Sequence, residues 1–283
     1  MGVVTLGTML GTYLIAYFFI DQPEIAALIV IIATGIIFIV GHFIISGFVY
    51  LAEANRMKSE FVSITSHQLR TPLSAVKWSL NLLMDERWQK LDQKQKEYFE
   101  IMKTSNNRMI RLVNDLLDVS RIEQGRLDMR PGKFSLDDMI RDLIAEITPI
   151  ARDGGVSLGF EVEGGVPEGW ADAERVRLAL QNLVDNAVKY SNDGGAVKIK
   201  LGRFGNFLKC EVHDNGVGIP EHQKADVFQK FFRSDNVRKY QTEGTGLGLF
   251  IAKGIVDALG GKIGFSSKEN QGSDFWFTIP IAK

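Results

Sequence analysis

The first fifty residues of this 283-residue chain contain no lysine or arginine and only two acids, Asp21 and Glu24. That poverty excludes an ordinary solvated surface there, and all 33 Lys and Arg fall in the remainder. Cysteine is nearly absent. The single Cys210 excludes an internal disulfide and fits a reducing compartment for the part that carries it. Net charge is also missing, formally −1. Nucleic acid is therefore not expected as a main partner, because binding it needs a clear basic excess. An apolar piece is joined to a nearly neutral soluble piece long enough for two compact units.

Residues 1–20 and 25–52 carry no charged side chain when His42 is counted neutral. Each is long enough to cross a hydrocarbon core of roughly 30 Å as a helix, the one open structure whose backbone is satisfied in lipid. Asp21-Gln22-Pro23-Glu24 connects them, and Arg56 and Lys58 follow the second. The positive-inside rule then predicts an external loop and cytoplasmic termini. No basic residue follows Met1, so a cleaved signal peptide is not expected. Four loop residues are too few for an external sensor, so a stimulus is expected to act through the spans, membrane lipid or a partner membrane protein. Gly7 and Gly11 form a GxxxG step, which chance also explains in a glycine-rich run. His42, in the inward half of the second span, is either a functional titratable group or a ring reaching a polar neighbour.

From Glu53 to about Met84 the pattern is helical, with apolar residues at Leu69, Leu73, Val76, Leu80 and Leu83. A second run has Tyr98, Met102, Met109, Leu112, Leu116 and Val119, with Ser105 filling one slot. Steps of three and four are bundle spacing. A polar turn near 87–92 would join the two into a hairpin. So small a core predicts dimerisation into a four-helix bundle. Gly125 ends the second helix, and Pro131-Gly132 mark a linker. Within SHQLRTPLS at 66–74, His67 falls about 200° from Leu69 and so points away from the seam. A lone outward histidine is usually just a surface residue. Here Pro72 disturbs the helix beside it, and Arg70 and Thr71 add a phosphate-pairing cation and a hydroxyl. Neutral imidazole is a competent nucleophile near neutral pH.

Beyond Lys133 the composition is mixed α/β. Residues 135–151, 172–191 and 246–258 read as helices. Residues 196–203 and 206–213 read as a hairpin turning at Gly205-Asn206, and 262–267 and 274–279 as further strands. The order predicts one mostly antiparallel sheet with helices on one face. Three groups carry chemistry. In NLVDNAVKYS at 182–191, Asn182, Asn186, Lys189 and Tyr190 share one helical stripe. Two amides, a lysine and an aromatic ring suit magnesium coordination, a phosphate contact and packing on a base. In DNGVGIP at 214–220, Asp214 can accept from an exocyclic amine, while Gly216 and Gly218 admit a close ligand. In EGTGLGLFIAK at 243–253, Gly244, Gly246 and Gly248 lead into a helix start, a phosphate site. Any one of these is more often a plain turn or helix. The three together in this order point to a nucleotide.

These stretches resemble the motifs of bacterial membrane sensor histidine kinases. SHQLRTPLS resembles their H box and NLVDNAVKYS their N box; DNGVGIP and GTGLGL resemble the two glycine boxes, with VFQKFFRSD at 227–235 the phenylalanine box between. The resemblance covers roughly 55–283. After the membrane hairpin already read at 1–52, it implies an all-α dimerisation and histidine-phosphotransfer domain (53–126) and a GHKL-type α/β sandwich that binds ATP (133–283, the Bergerat fold). It further implies His67 as phosphoacceptor and Asn186 as magnesium ligand. Asp214 would read adenine, Tyr190 would pack by the base, and Lys189 and Arg233 would face phosphates. Asn182, Gly216, Gly218, Gly244, Gly246, Leu247 and Gly248 would complete the site, with 216–245 a mobile lid. Thr71 matches the threonine that helps hydrolyse a regulator's phospho-aspartate. The implied partners are a second copy and a separate response-regulator receiver domain, at the bacterial cytoplasmic membrane. Gln68 departs from the acid usual after the phosphoacceptor; it can hold the ring N–H but cannot take a proton. A working but slower autokinase is expected. A membrane-anchored ATP-binding scaffold or phosphatase-only pseudokinase is the alternative. A GHKL ATPase of the chaperone or topoisomerase kind would leave His67 without a use.

Overall fold

A computed structural model of the chain describes residues 22–85, 91–235 and 244–282, with positions 7, 10–14 and 17. Most of the first expected span, most of the expected hairpin turn and the centre of the expected lid (236–243) lie outside the described residues. The chain divides into two compact units, Met1–Phe61 and Val62–Lys283.

Helix α1 runs Pro23–Leu83 without a break. Its first part is long and apolar enough to cross a membrane, the one such helix among the described residues. Val30 is the one buried side chain described in the first unit, while Ile31, Ile36, Phe43 and Phe48 are exposed. An all-round apolar helix surface has no soluble explanation unless something covers it.

The second unit begins with the rest of α1 and with α2, Gln93–Glu123. A reciprocal capping box starts α2: the Gln95 amide donates to Asp92 Oδ1 at 2.8 Å and the Asp92 amide to Gln95 Oε1 at 3.0 Å. Gly125, at φ +62°, closes it as expected. The helices are tied where Asn106 donates to the Leu73 carbonyl (3.0 Å) and Arg70 to Asn114 Oδ1 (2.7 Å). Pro72 lies inside α1, where its missing N–H leaves the Gln68 carbonyl without its helical donor. Leu69, Val76, Met102, Met109 and Leu112 of the expected seam are exposed in the single chain, whereas Val113 and Leu117 are buried.

The rest is a two-layer α/β domain. Strands β2 (Ser157–Val162), β4 (Ala196–Phe204), β5 (Phe207–Asp214), β6 (Ile263–Lys268) and β7 (Gly272–Pro280) form a sheet in the order β2-β4-β5-β7-β6. All pairings are antiparallel except β2 with β4. The parallel edge strand β2 was not anticipated, nor was the small sheet of β1 (Gly132–Phe134) and β3 (Gly169–Ala171). Strand alternation turns Val197, Ile199, Leu201, Leu208, Cys210, Val212, Phe277 and Ile279 to one face, all buried. Helices α3 (Leu136–Asp153), α4 (Ala173–Tyr190) and α5 (Gly248–Ala258) supply that core with Ile140, Leu143, Leu180, Leu183, Ile251 and Ile255. Helix α5 starts two residues later than expected. Gly246 stands at φ +70° and the Leu247 amide donates to Thr245 Oγ1 at 3.1 Å, so the chain turns before the helix begins.

Candidate functional site

Helix α4 is fixed at its start by Asp172, which accepts from the Arg175 amide at 3.1 Å and the Arg130 amide at 2.8 Å. Its buried stripe of Val176, Leu180, Leu183 and Ala187 faces the sheet. The adjacent stripe turns Asn182, Asn186, Lys189 and Tyr190 into a cavity of about 540 Å³, a size suited to a small organic ligand.

Asp214, Val217, Gly218, Ser273 and Phe275 line one part of this cavity. Asp214 is 4% exposed, and its Oδ1 accepts from the Gly216 amide at 2.9 Å. Burial pushes its carboxyl above the usual range, against the Gly216 and Ser273 amides that hold it down. The Val217 amide donates to the Tyr190 carbonyl at 3.2 Å, locking the loop onto the end of α4.

Asn182, Asn186, Lys189, Arg233, Gly244, Gly246 and Gly248 line another part. A Cβ on Gly248 would lie 2.7 Å from Asn182 Oδ1, and one on Gly244 2.6 Å from Lys189 Nζ. Gly244, at φ +136°, also holds a backbone conformation that favours glycine. Just beyond the glycine loop, α5 begins with the unpaired amides of a first helical turn. Asn182 Nδ2 is buried without a hydrogen-bond partner. The Lys189 ammonium stands 5.1 Å from the Tyr190 ring centroid. Burial raises the Tyr190 phenol, opposed by the Arg233 charge, so that ring lies near the cationic part as well.

Gly216 and Leu247 support the cavity without lining it, Leu247 being buried under the helix start. His67, Gln68 and Thr71 are exposed on α1 and outside the cavity.

The sequence reading missed a wall. Arg108, Arg111 and Asp115 of α2 line the same cavity, as does Asp185 of α4. Thr245 Oγ1 donates to Asp115 Oδ2 at 3.3 Å, joining hairpin to glycine loop. Arg175 pairs with Asp118 at 3.0 Å, Lys230 pairs with Glu123, and Ile122 packs over Gly254. Burial pushes the Asp115 carboxyl to about 6, against the Thr245 hydrogen bond. Burial also raises Asp185, against the charge of Arg111. The only sequence signal was the spacing of Arg108, Arg111 and Asp115, which any solvated helix face can show.

Comparison with known proteins agrees with this architecture. Residues 57–125 match the His Kinase A (phospho-acceptor) domain, and residues 171–283 match the Histidine kinase-, DNA gyrase B-, and HSP90-like ATPase family. The chain is 36% identical over 237 residues to the sensory/regulatory protein RpfC of Xanthomonas campestris, covering 81% of this chain and 32% of RpfC. It is 36% identical over 229 residues to the circadian input-output histidine kinase CikA of Synechococcus elongatus, covering 80% and 30%. It thus spans about a third of the length of these relatives. A crystal structure of full-length ShkA in complex with AMPPNP superposes with a TM-score of 0.66 at 29% identity, covering 79% of this chain and 46% of that one. The helical hairpin and the GHKL-type ATPase fold expected from the sequence are both present.

Proposed function

The chain belongs to the histidine kinases of two-component systems, and from that premise we propose that it phosphorylates itself on His67 with ATP and passes the phosphoryl group to an aspartate of a response regulator. One observation carries the reading. The α4 amide stripe, Asp214 and the glycine loop at the start of α5 converge on one cavity, while the phosphoacceptor candidate stands exposed on the adjoining hairpin.

One imidazole nitrogen attacks the γ-phosphorus. The bond from that phosphorus to the bridging oxygen breaks, and ADP leaves. Gln68 holds the other ring nitrogen's N–H in place, and that proton passes to water because an amide cannot take it. Asp214 accepts from the adenine amine; Lys189, Arg233 and the α5 amides hold phosphates. Among the described residues no cluster of His, Cys, Asp or Glu could cage a metal. The Asn186 and Asn182 amide oxygens would hold a hard cation, and magnesium there would neutralise phosphate charge. Thr71 serves the reverse hydrolysis of the regulator's phospho-aspartate.

The uncovered apolar face of the hairpin pairs with a second copy. Residues 1–52 anchor the chain as two transmembrane helices in a bacterial cytoplasmic membrane. Residues 53–126 form the phosphotransfer domain and 133–283 the catalytic domain, both cytoplasmic.

The test is transfer of γ-phosphate from Mg·ATP to the full chain in lipid nanodiscs. Acid-labile label is expected on the parent and absent from His67→Ala and Asn186→Ala. Gln68→Glu should raise the rate by about tenfold, since a positioned general base contributes ~10²-fold or more and glutamine retains only the orienting part. A parent that binds ATP yet stays unlabelled would sink the kinase reading and leave the scaffold.

A further inference from the structure

The nucleotide cavity is walled by two domains, and the hairpin brings its own cations to it. Arg108, Arg111 and Asp115 follow one another at steps of three and four, so they form a single stripe on α2. All three line the cavity that holds Asn186, Lys189, Arg233 and the glycine loop. The stripe continues into residues that pin it there: Asp115 to Thr245, Asp118 to Arg175, and Ile122 against Gly254.

Arg111 acts on two carboxylates, Asp115 on its own helix and Asp185 across the cavity on α4. Asp185 immediately precedes Asn186. The plainest role for Arg111 is to neutralise that pair. Yet among the described residues no carboxylate stands within ion-pairing distance of Arg111, so the arginine is not spent on a tight ion pair. A guanidinium at the edge of a site already lined by Lys189, Arg233 and a helix start matches the fork geometry of a phosphate.

The hairpin register gives this placement a direction. Arg70 faces Asn114 and Leu73 faces Asn106. His67, one turn before Arg70 on α1, is therefore level with about 112–117 on α2, and Arg111 lies within about two turns of it along the bundle. In a parallel two-fold bundle this layer is common to both copies, so the relation holds whichever copy's histidine receives the phosphoryl group.

We propose that Arg111, supported by Arg108, binds the terminal phosphate of the nucleoside triphosphate, so that hairpin and catalytic domain grip ATP together in the layer of His67. The proposal rests on the ATP reading of the cavity and adds that discrimination between triphosphate and diphosphate resides in the hairpin. ADP lacks the phosphate Arg111 would hold, so its affinity is independent of that side chain.

The test is calorimetric titration of the full chain in nanodiscs with Mg·AMPPNP and with Mg·ADP. The chains compared are the parent, Arg111→Ala, Arg111→Lys, Arg108→Ala and, as a control on the site, Lys189→Ala. Arg111→Ala should weaken AMPPNP by about tenfold, the scale of one charge-assisted hydrogen bond, and leave ADP within about twofold. Arg111→Lys should fall between, keeping charge but losing the fork, and Arg108→Ala should show a smaller loss of the same selectivity. Retained ADP binding shows that a variant is folded. Equal loss of both nucleotides, or loss of neither, would overturn the assignment and return Arg111 to a structural role. A parent that binds neither nucleotide would instead remove the ATP reading beneath it.

Discussion

Asp115 is the residue through which hairpin and glycine loop touch, and its ionisation sets how firmly. Burial is the main reason its carboxyl titrates near 6, with Asp118 adding to the rise and Thr245 and Arg111 opposing it. The unfolded chain would release that proton near 3.9. The folded state therefore holds a proton the unfolded state has lost, and stability from this group falls as pH rises from about 4 to about 6. Above that window the ionised, half-buried carboxylate opposes docking in full. Asp115→Asn keeps an acceptor for the Thr245 hydroxyl and removes the charge. It should stabilise the chain at pH 7.5 by about 1 kcal/mol, a figure discounted for solvent access, and change little at pH 4.5. Thermal unfolding at the two pH values checks this; parent and variant melting in parallel across the range would mean Asp115 is not the titrating group. Nothing in the sequence marks Asp115, because its environment is supplied by Thr245, 130 positions away. The α4 stripe was legible for the opposite reason. Asn182, Asn186 and Lys189 are placed by helical spacing alone, and amides and a lysine beside a core stripe have no packing use.

At the scale of elements, the glycines decide how closely the loops approach one another. A Cβ on Gly216 would be driven into the Tyr190 carbonyl, the same oxygen that accepts from Val217. Gly218, at φ +61°, lies against the Lys268 carbonyl, and the Val217 carbonyl accepts from the Asn270 amide at 2.8 Å. The loop after β5 is thus threaded between the end of α4 and the β6–β7 turn, which positions Asp214. Gly216→Ala should cost about 2–3 kcal/mol and abolish nucleotide binding. Gly159→Ala on β2, with open space around the added methyl, should be neutral or slightly stabilising. Urea midpoints of the two variants make the comparison, and equal midpoints would refute the close approach. Strand β2 itself escaped the sequence reading. It is six residues long with Gly159 inside it, and its parallel pairing with β4 joins positions about forty apart, which no local pattern announces. β1 and β3, at three residues each, are too short for any period.

Across the whole molecule, α2 works through three faces. Asn106, Val113 and Leu117 turn toward α1 and are buried. Arg108, Arg111, Asp115 and Ile122 turn toward the α/β domain. At about 100° per residue, Met109 and Leu112 fall on a third side, where they remain exposed together with Tyr98 and Met102. This split explains why the expected seam looked continuous in sequence yet is uncovered in one chain: its period runs along a face that the contact within one hairpin leaves open, the face proposed above to pair with a second copy. The face also lies clear of the α/β domain, so pairing through it would not compete with docking. Met109→Glu combined with Leu112→Glu should therefore dissociate the dimer while leaving the hairpin and the cavity folded. Two buried apolar side chains are worth about 1.5–3 kcal/mol each, so the dimer should weaken by roughly a hundredfold or more. Sedimentation of the full chain in detergent gives the mass, and Mg·ADP titration reports the intact site. A variant that stays dimeric would move the interface elsewhere on the hairpin, and one that loses ADP binding along with its dimer would show that docking and pairing depend on each other after all.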